Sequence, residues 1–304
     1  MSALTAPRRE SLPLGIGLTL IAYAGFTMID SSAKWLGQAG IPTMEIVFVR
    51  YAVHFFVISA VMLPTRGLSL TRSGNLKLEI VRAGFLLAST LCNFVAVQFL
   101  PLTVTGAIAF TMPLMLCALS VPLLGETVGW RRWSAILVGF LGVLVIVRPG
   151  TEAFHPAAIA SLAAAAASAF FFLFTRRLAG IDSASTQQFY SALISMICIA
   201  PFAFSGWLWP TQPVDWLFFG LIGLAGVFGH QVFSIALRFA PASVLAPFAY
   251  FQIVYNVLSS WLLFSQPPSI WIYIGAPIVI ASGLYIWLRE RTLMKPVTPV
   301  VGED

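Results

Sequence analysis

The sequence predicts an all-α integral membrane protein of ten transmembrane helices, arranged as two inverted five-helix repeats. Three observations predict it. Ten apolar runs fill most of the 304 residues, and hydrophobic residues make up 59% of the chain against 9% charged. About 20 apolar residues carry a helix across a bilayer. Basic residues gather in every second gap between the runs, and one stretch of the chain repeats in a later one.

The runs are 12–33, 43–63, 80–99, 102–124, 130–148, 156–176, 184–204, 214–236, 242–264 and 270–288. The first follows Arg8 and Arg9, as a signal peptide would. It is too long for one and lacks a convincing cleavage site, so it reads as retained. The second carries Arg50 and His54, and the third carries Asn93. Pro113 and Pro247 sit inside the fourth and ninth, where a proline kinks a helix. Arg131 and Arg132 open the fifth. An unbroken alanine run, Ala163 to Ala167, gives the sixth a surface that another helix can approach closely. The seventh is plain except for Cys198. The eighth holds His230 and Gln231 and ends at Arg238. Arg289, Arg291 and Lys295 follow the tenth, and the tail from Pro296 reads as disordered. Cys92, Cys117 and Cys198 all lie within runs and have no metal or redox spacing.

Fourteen of the basic residues fall on one side: those just named outside the spans, with Arg66, Arg72, Lys77, Arg82, Arg176 and Arg177. The other side has Lys34 and Arg148, and Arg50 is within a span. The positive-inside rule then places both termini in the cytoplasm of a bacterial-type inner membrane. The net charge of +6 is this topology signal. It is no nucleic-acid footprint, because the bases are dispersed over short loops.

Residues 96–126 lie on 236–266 at a constant offset. Ala96, Phe99, Pro101, Val104, Ala109, Ser120 and Leu123 meet their identical counterparts, Phe110 meets Tyr250, and Glu126 meets Gln266. After one inserted residue, Val138, Gly142 and Arg148 meet Val279, Gly283 and Arg289. A repeat of five helices is odd, so consecutive copies must cross the membrane in opposite directions. The units are residues 1–150 and 151–291, with a cytoplasmic tail over 292–304. Such symmetry allows one protein to open to either side in turn; a pore or a scaffold made by duplication is the bland alternative.

Several segments resemble a known family: Phe48-Val49-Arg50-Tyr51, Val81-Arg82-Ala83-Gly84, and the stretch from Leu100-Pro101 through Leu124-Gly125-Glu126 and Trp130-Arg131-Arg132-Trp133 to Val147-Arg148-Pro149-Gly150. They resemble the EamA-type carriers of the drug/metabolite transporter superfamily, over nearly the whole chain. The resemblance implies ten helices in two inverted halves, a central cavity, and movement of small metabolites without ATP. Asp30-Ser31-Ser32-Ala33-Lys34-Trp35-Leu36 is similar to a subset that includes S-adenosylmethionine and riboflavin carriers. One departure stands out: the family often carries Gly-Glu in the second half, where this chain has Ser265-Gln266.

The candidate site residues are the polar ones inside the spans. A charge at mid-bilayer costs about 2.5–3.5 kcal/mol on insertion scales. Arg50 lies seven residues into its run, roughly 10 Å deep at 1.5 Å per residue, and His54 shares its face. They read either as a grip for a substrate anion or as a staple between helices. Asp30 and Lys34 are four apart and can pair, or Lys34 can snorkel to the headgroups; Asp30 and Glu45 are also the proton-coupling or gating acids. Tyr250, Gln252, Tyr255 and Asn256 form an aromatic and polar stretch suited to a planar solute, or to gluing helices. Asn93 and His230 complete the set, the latter as a titrating group or as a partner for a neighbour's carbonyl.

The expected function is secondary transport, by alternating access, of a planar or aromatic metabolite such as riboflavin, S-adenosylmethionine or an amino acid. A channel or an intramembrane enzyme is the alternative. No His-Glu-x-x-His, Gly-x-Ser-x-Gly or phosphate-cradling loop is present, and the three histidines are scattered. No cofactor or metal is expected. The partners are the substrate and the lipid bilayer, and both a monomer and a homodimer fit.

Overall fold

A computed structural model describes residues 11–124, 129–152, 154–240 and 245–293. The basic start Arg8-Arg9, the Gly125-Glu126 motif, Pro241 and the tail from Lys295 lie outside them. Among the described residues the secondary structure is helical throughout, with no strand. Eight helical stretches are long and apolar enough to cross a membrane, one of them, Leu102–Leu119, running across a turn, and two shorter apolar ones, Trp133–Val147 and Phe248–Phe264, accompany them.

The chain builds α1 (Leu12–Gln38), α2 (Thr43–Arg66), α3 (Leu76–Phe99), α4 (Leu102–Ala109), α5 (Met112–Leu124), α6 (Trp130–Val147), α7 (Ala157–Leu178), α8 (Ala184–Ala203), α9 (Pro213–Phe239), α10 (Phe251–Phe264) and α11 (Ile270–Leu293). The expected fourth span is therefore two helices. Pro113 has no N–H to offer and its ring would meet the carbonyl of Ala109 in a continuous helix. The chain closes α4 instead with a tight turn, in which the Thr111 N–H and hydroxyl both donate to Ile108 O at 2.9 and 2.7 Å. The ninth run breaks alike, into a 3₁₀ stretch (Ala246–Tyr250) followed by α10.

Two ends of the bundle are defined by contacts. At the near end Gly15 meets Ala240, Ser73 donates to Asp182 and Tyr190 to Thr71 O. At the far end Lys34 meets Leu100, and Glu45 meets Leu208. The main helix pairs are α1 with α9, α3 with α7, α6 with α11, and α2 with α8. In the α1–α9 contact the backbones approach at Gly25 and Gly229, where a β-carbon on Gly25 would stand 3.4 Å from Gly229 Cα. The α3–α7 contact uses the alanine face: Ser89 donates to Ala164 O (3.0 Å) and meets the Ser168 hydroxyl (2.6 Å).

The largest buried apolar cluster fills the far half, between α1, α2, α3 and α9, around Ile29, Leu36, Ile46, Phe94, Val97 and Ile222. Clusters in the near half are smaller and separate, around Ile58 and Phe189, and around Ala236 and Leu245.

Candidate functional site

The residues at the inner edge of the far cluster are polar. Arg50 of α2 donates from Nη1 to Thr90 Oγ1 of α3 at 2.5 Å, and its guanidinium lies 5.0 Å from the Tyr51 ring and 5.5 Å from the Phe94 ring. Tyr51 and Thr90 hydroxyls meet at 2.7 Å, and Tyr51 reaches Leu86 O at 3.4 Å. A chain of donors thus runs from Arg50 through Thr90 and Tyr51 to a backbone carbonyl. One turn along α3, Asn93 Nδ2 donates to Asp30 Oδ1 of α1 at 2.8 Å.

The Arg50 charge acts on Asp30, on His54 and on His230. The two histidine rings, from α2 and α9, stand 6.1 Å apart, and Phe26 packs on His230 at 5.0 Å. Asp30, Arg50, Asn93 and His230 are each only half-buried although four helices surround them. Five of the residues singled out in the sequence therefore converge: Asp30, Arg50, His54, Asn93 and His230. Two polar atoms in this cluster lack a hydrogen-bond partner, Arg50 Nε and His54 Nε2, the latter on a side chain only 8% exposed.

Aromatic rings lead from the cluster towards the near end. Tyr23 meets Phe26 at 5.6 Å and Phe233 at 6.0 Å, and Tyr250 meets Phe110 at 5.0 Å. Tyr250 and Phe110 are the residues at which the two broken spans turn. Gln252 and Tyr255 are half-buried on α10. Asn256 is different: it is 2% exposed, its amide oxygen accepts from Thr27 Oγ1 at 3.0 Å, and its amide nitrogen fills the space over Gly106. A side chain at Gly106 would displace it. Ser31 and Ser259 meet at 2.6 Å nearby, so α1 and α10 are joined by small polar groups.

The far-end acids and Lys34 are placed otherwise than their spacing suggests. Lys34 makes no ion pair with Asp30 and does not snorkel. It is 1% exposed and donates to Val97 O (2.8 Å) and Leu100 O (2.7 Å), the free carbonyls at the end of α3. Those carbonyls carry the negative end of the helix dipole, while Asp30 is held by Asn93 instead. Glu45 is fully buried and accepts from the Leu208 N–H at 2.9 Å, with Oε1 left over. Trp35 stacks on Phe218 and donates to Asp215 at 2.9 Å.

Arg82, counted above with the basic residues of one side, at the start of the third run, is inside the bundle at 4% exposure, about two turns into α3, which begins at Leu76. It donates to Thr175 Oγ1 (2.7 Å), Gln187 O (3.0 Å) and Ser191 Oγ (2.6 Å), pairs with Glu79 at 3.5 Å and lies 4.5 Å from the Phe171 ring. Thr90, Tyr51 and this Arg82 network are what sequence reasoning missed. Hydroxyls within an apolar run carry no signal of which charge they will serve.

Among the described residues no group of three or more histidine, cysteine or acidic side chains could hold a metal ion. A groove of about 400 Å³ between α6 and α11, lined by Arg131, Val138, Ile278 and Tyr285, opens on the flank of the bundle and includes none of the clustered residues.

A profile of the EamA-like transporter family matches the chain twice, over residues 13–148 and 155–288. Relatives span almost the full length. A Rickettsia bellii protein described as an S-adenosylmethionine uptake transporter is 27% identical over 94% of this chain and 97% of its own. A Vibrio cholerae riboflavin transporter is 28% identical over 90% and 93%, and a Pseudomonas aeruginosa pseudopaline exporter 25% identical over 90% and 95%. One crystal structure of another protein aligns with a TM-score of 0.61 at 18% identity, over 92% of this chain and 99% of that one, which is a likeness of fold.

Proposed function

The chain belongs to the EamA-like transporter family, and we propose that it carries a small organic metabolite through its membrane by alternating access, without a nucleotide. The observation that carries this reading is the cluster of Asp30, Arg50, Asn93, His54 and His230, held between four helices of an apolar bundle with accessible surface left among its members. Intramembrane charges mark substrate or ion pathways. The aromatic path through Tyr23, Phe26 and Tyr250, with Gln252 and Tyr255 on α10, suits a planar portion of the solute. Asn256 shapes that wall from behind. Asp30 is the acid on the route and Glu45 belongs to the far-end seal, the two positions where proton coupling or gating would be exerted. Relatives described as carriers of S-adenosylmethionine, riboflavin and pseudopaline support an organic solute.

Ten spans in two inverted units, 1–150 and 151–291, are part of the proposal. Its support is the double family match and the exchange of helix pairs: under the repeat α1 corresponds to α7 and α9 to α3, and those pairs pack alike. We place the termini and the near end in the cytoplasm of an inner membrane. A cysteine at position 75 is then shielded from an impermeant thiol reagent in intact cells and one at position 212 is labelled; the reverse pattern inverts the orientation.

Counterflow in proteoliposomes tests the function. Saturable exchange of labelled S-adenosylmethionine or riboflavin supports a carrier. Flux that rises linearly with concentration indicates a channel, and chemical conversion an enzyme.

A further inference from the structure

We propose that the cluster is built for a zwitterion: Arg50 takes the carboxylate and Asp30 the ammonium of an α-amino-acid headgroup, while the remainder of the solute runs along the aromatic path. This rests on the carrier reading and names the substrate class of the same site.

Asp30 and Arg50 are both tied to α3, yet they form no ion pair with each other. In an apolar bundle opposite charges gain most by closing together, so something holds them apart. The holder is α3. Thr90 accepts from Arg50, and Asn93 donates to Asp30. Residues at i and i+3 share a helix face, so α3 presents the two anchors side by side and fixes one charge towards α2 and the other towards α1. Both charges keep unused valences. Arg50 is only half-buried and spends Nη1 alone on Thr90, while its Nε, itself buried, has no partner; a guanidinium is suited to a two-point grip on a carboxylate. Asp30 has its Asn93 bond on Oδ1, leaving Oδ2 for an ammonium.

His54 adds an independent sign. It is 8% exposed, and its Nε2 has no partner within the protein. A buried polar atom left bare is destabilising unless something fills it. His54 sits one helical turn from Arg50 and faces His230, and Phe26, Tyr23 and Phe233 continue the wall. A headgroup between Arg50 and Asp30 thus has a polar neighbour at its base and flat rings beside its side chain. An uncharged ring system alone would leave both charges unanswered.

The test uses the wild-type protein first. Thermal midpoints and counterflow inhibition are measured with S-adenosylmethionine and tryptophan, with 5′-methylthioadenosine, tryptamine and indole-3-propionate as analogues that lack the headgroup or one of its charges, and with riboflavin. At least one zwitterion binds, and its analogues bind about tenfold or more weaker, the loss expected for a charged hydrogen bond. In Arg50→Gln the advantage of tryptophan over tryptamine disappears while its advantage over indole-3-propionate persists, and in Asp30→Asn the pattern reverses. A merely structural role would lower all ligands together. Equal binding of zwitterions and analogues, or uniform loss in both variants, overturns the proposal. Saturable exchange of riboflavin with no zwitterion bound also overturns it and leaves the carrier standing; no exchange of any probe removes both.

Discussion

Arg82, on α3, and Arg50, which meets α3 about two turns further along at Thr90, are guanidiniums inside the bundle, and the protein treats them in opposite ways. Arg82 has three donated hydrogen bonds to α7 and α8, an acid at 3.5 Å and an aromatic face. Arg50 has one hydroxyl, two rings and a bare Nε. Both bear the cost of a charge in an apolar bundle. At Arg82 the protein's own groups offset it, which is how a structural charge is kept. At Arg50 they offset only part of it, and under the zwitterion proposal a ligand supplies the rest. In that reading a guanidinium's unused donors, rather than its depth, separate the working charge from the stapling one.

The largest expected effect tests the structural side. Arg82→Met leaves Glu79 buried without its partner and lowers stability by about 3–5 kcal/mol. The thermal midpoint of the purified protein reads it, and Arg82→Met with Glu79→Gln recovers part of the loss. A wild-type midpoint in the single variant would erase the contrast. Arg50→Met is expected to go the other way: it removes a charge worth up to about 2.5–3.5 kcal/mol on insertion scales, so the midpoint holds or rises while transport fails. A large fall in the midpoint would move Arg50 into the class of Arg82.

Asn256→Ala sharpens the comparison at α10. Its amide is spent on Thr27, so the loss is one interhelical bond, about 0.6–1.7 kcal/mol, with solute affinity unchanged. Thr27→Val costs a similar amount, and the double variant costs no more than either one. A loss of affinity without a loss of stability would return Asn256 to the solute face. The smallest effect is at Thr90→Val, which frees Arg50 from α3 at a cost of about 1 kcal/mol in stability. Solute affinity then falls several-fold in isothermal titration, and an unaltered affinity would show that the anchor does not matter.

The pattern of apolar runs exposed the helices well, and Pro113 marked the place where the fourth breaks. Asp30, Arg50, His54, Asn93 and His230 were also legible, because each is a polar residue in a run that has few. Their partners were not. Helix periodicity tells which residues share a face but not what stands opposite. The four-residue spacing of Asp30 and Lys34 suggested a pair, yet Lys34 is spent on the carbonyls ending α3, sixty-odd residues away in the chain. Arg82 read as a charge at the edge of its run because that run was taken from residue 80, while α3 begins a turn earlier, at Leu76.

The ring contact between Phe110 and Tyr250 bears on the symmetry of the chain. In the inverted-repeat reading these are the same position of the two copies, and a position touches its own counterpart only on the axis that relates them. In a homodimer of two unfused five-helix copies, any substitution there would confront itself across the contact, and size changes would be doubled. In one chain the two positions are free to differ, and they do: Phe110 is a phenyl ring, and Tyr250 has a hydroxyl that rests against Gly283. In that reading asymmetry is found at the point where the symmetry is most confining.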